Sequence, residues 1–216
     1  MKNLLIKELR LAVSLLTWVF LAATALTLVP GYPILLGAFF VSLGLFQTFR
    51  DARETNDVLY TALLPVKKAD VVAARYVLVC FFQLLAFALM AALTAVRMTA
   101  LSGAAVYRQN PLMNASPLFL GFALLIFAAF NVLFVGGFFR TAYRIGIPFL
   151  SFGIAATALV FLGESLHHLP GLAYLNDTAA GHPVRLAVLG ISAVLYALAT
   201  FLSCRASIRR FEQIDL

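Results

Sequence analysis

Long apolar runs separated by short polar intervals set the pattern of this chain. The runs cover 11–29, 34–49, 76–96, 118–139, 145–162 and 186–203, close to the roughly 17 to 25 residues a helix needs to cross a bilayer. Hydrocarbon offers nothing to an unpaired backbone group, so a helix, which pairs its own, is the expected form. No stretch alternates with period two, which argues against a closed barrel. The pattern predicts an all-α, polytopic protein with six transmembrane helices, forming a single membrane domain over 1–216.

Local signals refine the outline. Pro30-Gly31-Tyr32-Pro33 reads as a tight uncharged turn between the first two spans. Pro148 and Gly153 are expected to kink the fifth. Residues 1–10, MKNLLIKELR, are too polar for a signal-peptide core and no small-residue cleavage site follows, so they read as an amphipathic interfacial helix. The mixed interval 163–185 is either a plain loop or a short re-entrant hairpin.

The longest polar interval, 50–75, reads RDARETNDVLYTALLPVKKADVVAAR. Residues 54–64 have the make-up of a short amphipathic helix. Glu54 and Asp57 stand in its first turn, where the positive helix end favours acids. Val58, Leu59, Ala62 and Leu63 recur at helical spacing, and Pro65 stops the run. A second helix begins near Asp70, a plausible N-cap. Two readings of the interval are open: a solvated loop between membrane helices, or a docking element.

Composition agrees with the pattern. The chain is 63% hydrophobic and 12% charged, more apolar surface than a soluble domain of 216 residues can hide. The net charge of +7 is spread in clusters between apolar runs, which argues for topology rather than nucleic acid. One side receives Lys2, Lys7, Arg10, Arg50, Arg53, Lys67, Lys68, Arg75, Arg140, Arg144, Arg205, Arg209 and Arg210; the other receives only Arg97, Arg108 and Arg185. That asymmetry puts both termini and the 50–75 interval in the cytoplasm. Cys80 and Cys204 lack paired spacing and read as inert thiols. No internal repeat marks an inverted-repeat carrier.

Catalytic and ion-coupling chemistry is missing from the sequence. No acid falls in the middle of a span, where an ion-coupled carrier usually needs one. No G-x-x-x-x-G-K-[ST] phosphate loop and no H-E-x-x-H is present. His167, His168 and His182 share the 163–185 interval, but without nearby Cys they read as ordinary interfacial histidines rather than metal ligands. Gln83 and Asn131 stand inside spans, where interhelical hydrogen bonding is the first expectation and substrate contact the second. Gly37, Gly44, Gly136 and Gly137 are read as sites of close helix packing.

The chain resembles the small type-2 permeases of ATP-binding-cassette exporters, including those that export amphipathic peptides such as phenol-soluble modulins. The likeness rests on residues 1–10, on Glu54-Thr55-Asn56-Asp57 with Tyr60, Leu63-Leu64-Pro65-Val66, Lys67-Lys68, Asp70-Val71-Val72 and Arg75-Tyr76, and on the charged ending 211–216. The resemblance implies that the helix between spans two and three is a coupling helix seated in a groove of a separate ATPase subunit. Val58, Leu59, Tyr60, Leu63 and Leu64 would then make the apolar contact, Glu54, Asp57, Lys67 and Lys68 would be rim charges, and Pro65 would separate the helix from span three.

It further implies two permease chains with two ATPases in a bacterial plasma membrane, export of hydrophobic or amphipathic cargo, and ATP and Mg held by the partner with no cofactor in this chain. Short extracytoplasmic helices before the last span are also implied, which 166–175 would match. Two other readings stand beside this one: a non-transporting assembly or sensor subunit using the same helix, and an intramembrane enzyme.

Overall fold

The computed structural model describes all residues except 1, 10–12, 58–59, 61–65, 142–143, 177–182 and 214–216. Among the described residues every regular element is helical. In order these are α1 (Lys2–Lys7), α2 (Leu15–Leu21) with a 3-10 continuation (Ala22–Leu28), and α3 (Leu36–Glu54). Next come α4 (Lys68–Thr99), the single turn α5 (Ala105–Arg108), and α6 (Pro117–Arg140), which contains a π-helical turn at Phe130–Val135. The last two are α7 (Gly146–Leu166) and α8 (Pro183–Glu212).

Four of these, α4, α6, α7 and α8, are long and apolar enough to cross a membrane. The stretch Leu15–Leu28 is apolar but shorter, and the 19 residues of α3 end in the charged Arg50, Asp51, Arg53 and Glu54. The helix α6 is apolar on all sides and buried for most of its length, the signature of a bundle centre. It packs against α3, α4, α7 and α8. By contrast α7 and α8 bury only narrow faces and turn Ile147, Leu150, Ile154 and Phe161, and Leu186, Ile191, Leu198 and Phe201, outward. Such surfaces suit lipid rather than water.

Lipid tails are as apolar as the helices, so association has to come from close contact and interhelical hydrogen bonds. The glycines provide the contact. A Cβ on Gly37 would stand 3.0 Å from the Ala23 carbonyl oxygen, and one on Gly44 would stand 2.7 Å from Phe20 Cβ, so α3 needs both to lie against α2 and its continuation. Thr17 adds hydrogen bonds to the Gly44 carbonyl at 3.1 Å and to Thr48 at 3.0 Å. Gly136 and Gly137 serve α6 in the same way, facing Ser203 of α8 and Pro148 of α7.

Several local expectations change. The turn at 30–33 is present, and Gly31 takes the positive φ of 71° that its type of turn requires. The third span is the membrane part of a helix that already starts at Lys68, with Lys67 as N-cap; Asp70 belongs to its first turn. Pro148 falls in the first turn of α7, where no intrahelical donor is lost, and the helix runs unbroken through Gly153. In 163–185 the described residues form the end of α7, a single 3-10 turn, Ala173–Asn176, and the first residues of α8.

The contacts sort the bundle into two poles. At one, Glu8 and Asp57 meet Arg75 near the start of α4, and the ends of α6 and α8 join through Phe139 and Phe211, whose rings lie 5.7 Å apart. At the other, Arg97 of α4 is buried. It donates to the Thr27 carbonyl at 2.7 Å and to Asn114 at 3.0 Å, and stacks 4.2 Å from the Tyr107 ring.

Candidate functional site

The polar interval between α3 and α4 is shaped by an elbow. The helix α3 runs on to Glu54, and the Thr55 hydroxyl donates to the Asp51 carbonyl at 2.9 Å. Asn56 then takes a left-handed conformation, φ 53°, which ends a helix as glycine usually does. Helical structure resumes at once: Asp57 and Tyr60 are helical, and the Tyr60 N–H donates to the Asn56 carbonyl at 3.0 Å. Glu54 therefore closes α3 instead of opening the next helix.

Arg75 is the residue on which this elbow is anchored. It lies two turns into α4, is only 2% exposed, and meets three other elements. Its Nη1 is 2.9 Å from Glu8 Oε2, its Nη2 donates to Asp57 Oδ2 at 2.7 Å, and its guanidinium carbon lies 5.8 Å from the centre of the Phe49 ring in α3. Lys7 pairs with Asp57 and lies 3.5 Å from Glu8. Two cations and two carboxylates thus form a neutral quartet.

Burial explains why the quartet must be complete. An isolated buried charge costs several kcal/mol, and removal of one partner leaves the other unpaired. Glu8, 1% exposed, shows the balance. Burial pushes its carboxyl above the ordinary range, Arg75 and then Lys7 pull it back, and Asp57 pushes it up again.

Of the residues singled out in the sequence, Glu54 is exposed and lies 3.5 Å from Arg50. Asp57 is turned toward its own chain, a partner of Arg75 and Lys7 and not a free rim charge. Tyr60 is 67% exposed. Lys67 is exposed at the N-cap of α4, and Lys68 opens that helix. Val58, Leu59, Leu63, Leu64 and Pro65 lie outside the described residues. Glu8, Lys7 and Arg75 were not singled out, although all three stand in the segments that carry the family likeness. The signal was an acid in an otherwise basic interfacial helix.

The next residue of α4 opens a second network. The Tyr76 hydroxyl lies 2.8 Å from Ser203 Oγ and 3.0 Å from Ser207 Oγ, both on α8. Two turns on, Gln83 and Asn131 of α6 exchange side-chain amide bonds, Gln83 Nε2 to Asn131 Oδ1 at 3.0 Å and Asn131 Nδ2 to Gln83 Oε1 at 2.9 Å. From α8, Tyr196 donates to Gln83 Oε1 at 2.9 Å, and Thr200 accepts from Asn131 Nδ2 at 2.8 Å. The expectation of interhelical bonding holds for both amides.

The π turn of α6 is placed at this network. Its wider coil lets the Asn131 carbonyl take the Gly136 N–H and also the Ser203 hydroxyl at 2.9 Å. One helix, α4, thus carries both the grip on the elbow and the grip on α6 and α8.

At the opposite pole His167 Nε2 lies 3.1 Å from the Pro111 carbonyl oxygen, and its ring lies 4.1 Å from that of His168, tilted by 37°. His182 is outside the described residues. Among the described residues no group of three or more His, Cys, Asp or Glu side chains is placed to hold a metal.

A family model described as ABC-2 family transporter protein matches residues 3–212. Comparison with curated proteins and with solved structures returns no match.

Proposed function

We propose, from the premise that this chain belongs to the ABC-2 transporter family, that it is the permease of an exporter whose power stroke comes from a separate ATPase subunit. The sequence has no phosphate loop, so ATP and Mg would be held by that partner. The basic pole faces the cytoplasm of a bacterial cell, by the excess of Lys and Arg there. In this reading α2 and α3 complete six spans, and two permease chains enclose the path. The uncharged span interiors favour hydrophobic or amphipathic cargo, peptides among them.

The observation that carries the reading is the charge quartet around the buried Arg75. A coupling helix has to pull on the membrane helices and not merely hang from them. Here the segment that starts at Asp57 is gripped by Arg75, on the same rigid helix whose Tyr76 and Gln83 hold α8 and α6. A push on the segment 57–65 would move α4 and, through the polar network, the two helices beside it. The ion pair to Glu8 makes α1 a brace for the same joint.

The test separates docking from transmission. Replacing Leu63 and Leu64 by Asp removes the apolar docking face, and the ATPase should no longer co-purify. Replacing Arg75 by Gln keeps Leu63 and Leu64 but releases the elbow from α4, so the ATPase should remain bound and hydrolyse ATP with its response to cargo lost. An ATPase that stays bound to the Leu63→Asp, Leu64→Asp variant and stays cargo-responsive would sink the assignment.

A further inference from the structure

Gly136 and Gly137 let two helices close on α6 from different sides. A Cβ on Gly136 would stand 2.7 Å from Ser203 Oγ of α8, and one on Gly137 would stand 2.8 Å from Pro148 Cβ of α7. Both α7 and α8 pack on α6 here but not tightly on each other, which leaves a cleft of about 620 Å³ floored by the end of α6. That volume is of the size that holds small ligands.

The cleft is amphipathic along its length. Its end farthest from the basic pole is apolar, with Val132 and Leu133, Ile147 lies nearer the mouth, and its sides carry the hydroxyls of Thr141, Ser151, Ser203 and Ser207. Arg140 and Arg210 line it at the basic pole. Both arginines are exposed, and among the described residues neither guanidinium has an ion pair or hydrogen bond. Among the described residues no carboxylate lines the cleft. From Val132 to Arg140 it spans roughly 12 Å of helix rise, so its charged end and its apolar end are well separated.

We propose that this cleft seats an anionic phospholipid, its phosphate between Arg140 and Arg210 and the start of its acyl chains passing Ile147 toward Leu133 and Val132. The two guanidinium groups present the planar donor forks that match phosphate oxygens. Basic pockets between membrane helices are where anionic headgroups are held. Free phosphate would leave the apolar wall idle, and a zwitterionic lipid would bring no net negative charge to the two arginines. The site lies apart from the elbow at Asp57 and does not depend on the ATPase.

The test measures lipid retained by the full chain in detergent, using phosphatidylglycerol and phosphatidylcholine as probes and native mass spectrometry as readout. Wild-type protein is expected to keep phosphatidylglycerol selectively, and the Arg140→Gln, Arg210→Gln variant to lose it about tenfold. The Arg205→Gln, Arg209→Gln variant, with the same charge change outside the cleft, is expected to keep it. Val132→Trp, which fills the inner end at constant charge, should also lower retention. Equal loss in both arginine pairs would show a diffuse basic surface and overturn the site. Undiminished retention in Val132→Trp, or displacement by inorganic phosphate alone, would overturn the lipid as its occupant.

Discussion

Arg75 and Glu8 lie 2.9 Å apart, each almost wholly buried, and join the amino-terminal helix to the start of α4. Asp57 closes the same site from the elbow. The three-way joint makes a sharp prediction for stability. Arg75→Met leaves two carboxylates facing Lys7 alone, and should destabilise the purified chain by about 3 kcal/mol. Adding Glu8→Gln to Arg75→Met should recover part of that loss, because one stranded charge is gone. Thermal unfolding in detergent checks both, and a double variant no better than the single would mean the joint is not electrostatic.

The raised carboxyl of Glu8 gives the joint a pH signature. In the folded chain Glu8 holds its proton above the ordinary value of 4.5, so between 4.5 and the raised value the folded form binds a proton the unfolded form lacks. Stability from this group is therefore complete below 4.5 and falls as pH rises through the window. A melting series from pH 4.5 to 7 should show that decline in wild-type protein and a flatter profile in Glu8→Gln. Matching profiles would remove Glu8 as the cause.

Close packing at the end of α6 predicts a different kind of failure. At Gly137 an added Cβ meets Pro148 at 2.8 Å, and the atom it meets belongs to a rigid ring that cannot swing aside. Gly137→Ala should cost about 1–3 kcal/mol, as overpacking does. Gly153, with nothing near its Cβ position, is the control: Gly153→Ala should be neutral or slightly stabilising through better helix propensity. Equal losses at the two positions, measured as melting temperatures, would refute the packing explanation.

How much of this was legible depended on whether a residue's partner could be read from its own neighbourhood. The apolar runs announced themselves, since a helix in lipid needs only length and hydropathy, and four of them are the long helices α4, α6, α7 and α8. Gln83 and Asn131 were legible because an amide inside an apolar run has to find another polar group. Arg75 was not. A charge just outside a run looks solvated, and only the fold brings Glu8 back beside it. The boundary at Glu54 was missed because the amphipathic pattern continues across Asn56, and pattern does not register a single left-handed residue. Asp57 reads from the sequence as a first-turn acid, and from the resemblance as a rim charge; its direction is set by Arg75 and Lys7, which local periodicity cannot see.

The amide pair supplies the last prediction. Gln83 and Asn131 satisfy each other twice in an apolar setting, with Tyr196 and Thr200 of α8 completing the set. Cutting either amide strands the other, so Gln83→Leu and Asn131→Leu should each destabilise, while the double variant, with both polar groups gone, should cost less than their sum. Interhelical bonds of this kind are worth roughly 0.6–1.7 kcal/mol in membrane proteins, and a coupling of about 1 kcal/mol is expected from the cycle. Strict additivity would show that the two side chains do not interact. If the network also carries motion from the elbow, Asn131→Leu should weaken cargo-stimulated ATP hydrolysis while the ATPase stays bound, because α4 would then move without taking α6 and α8 along.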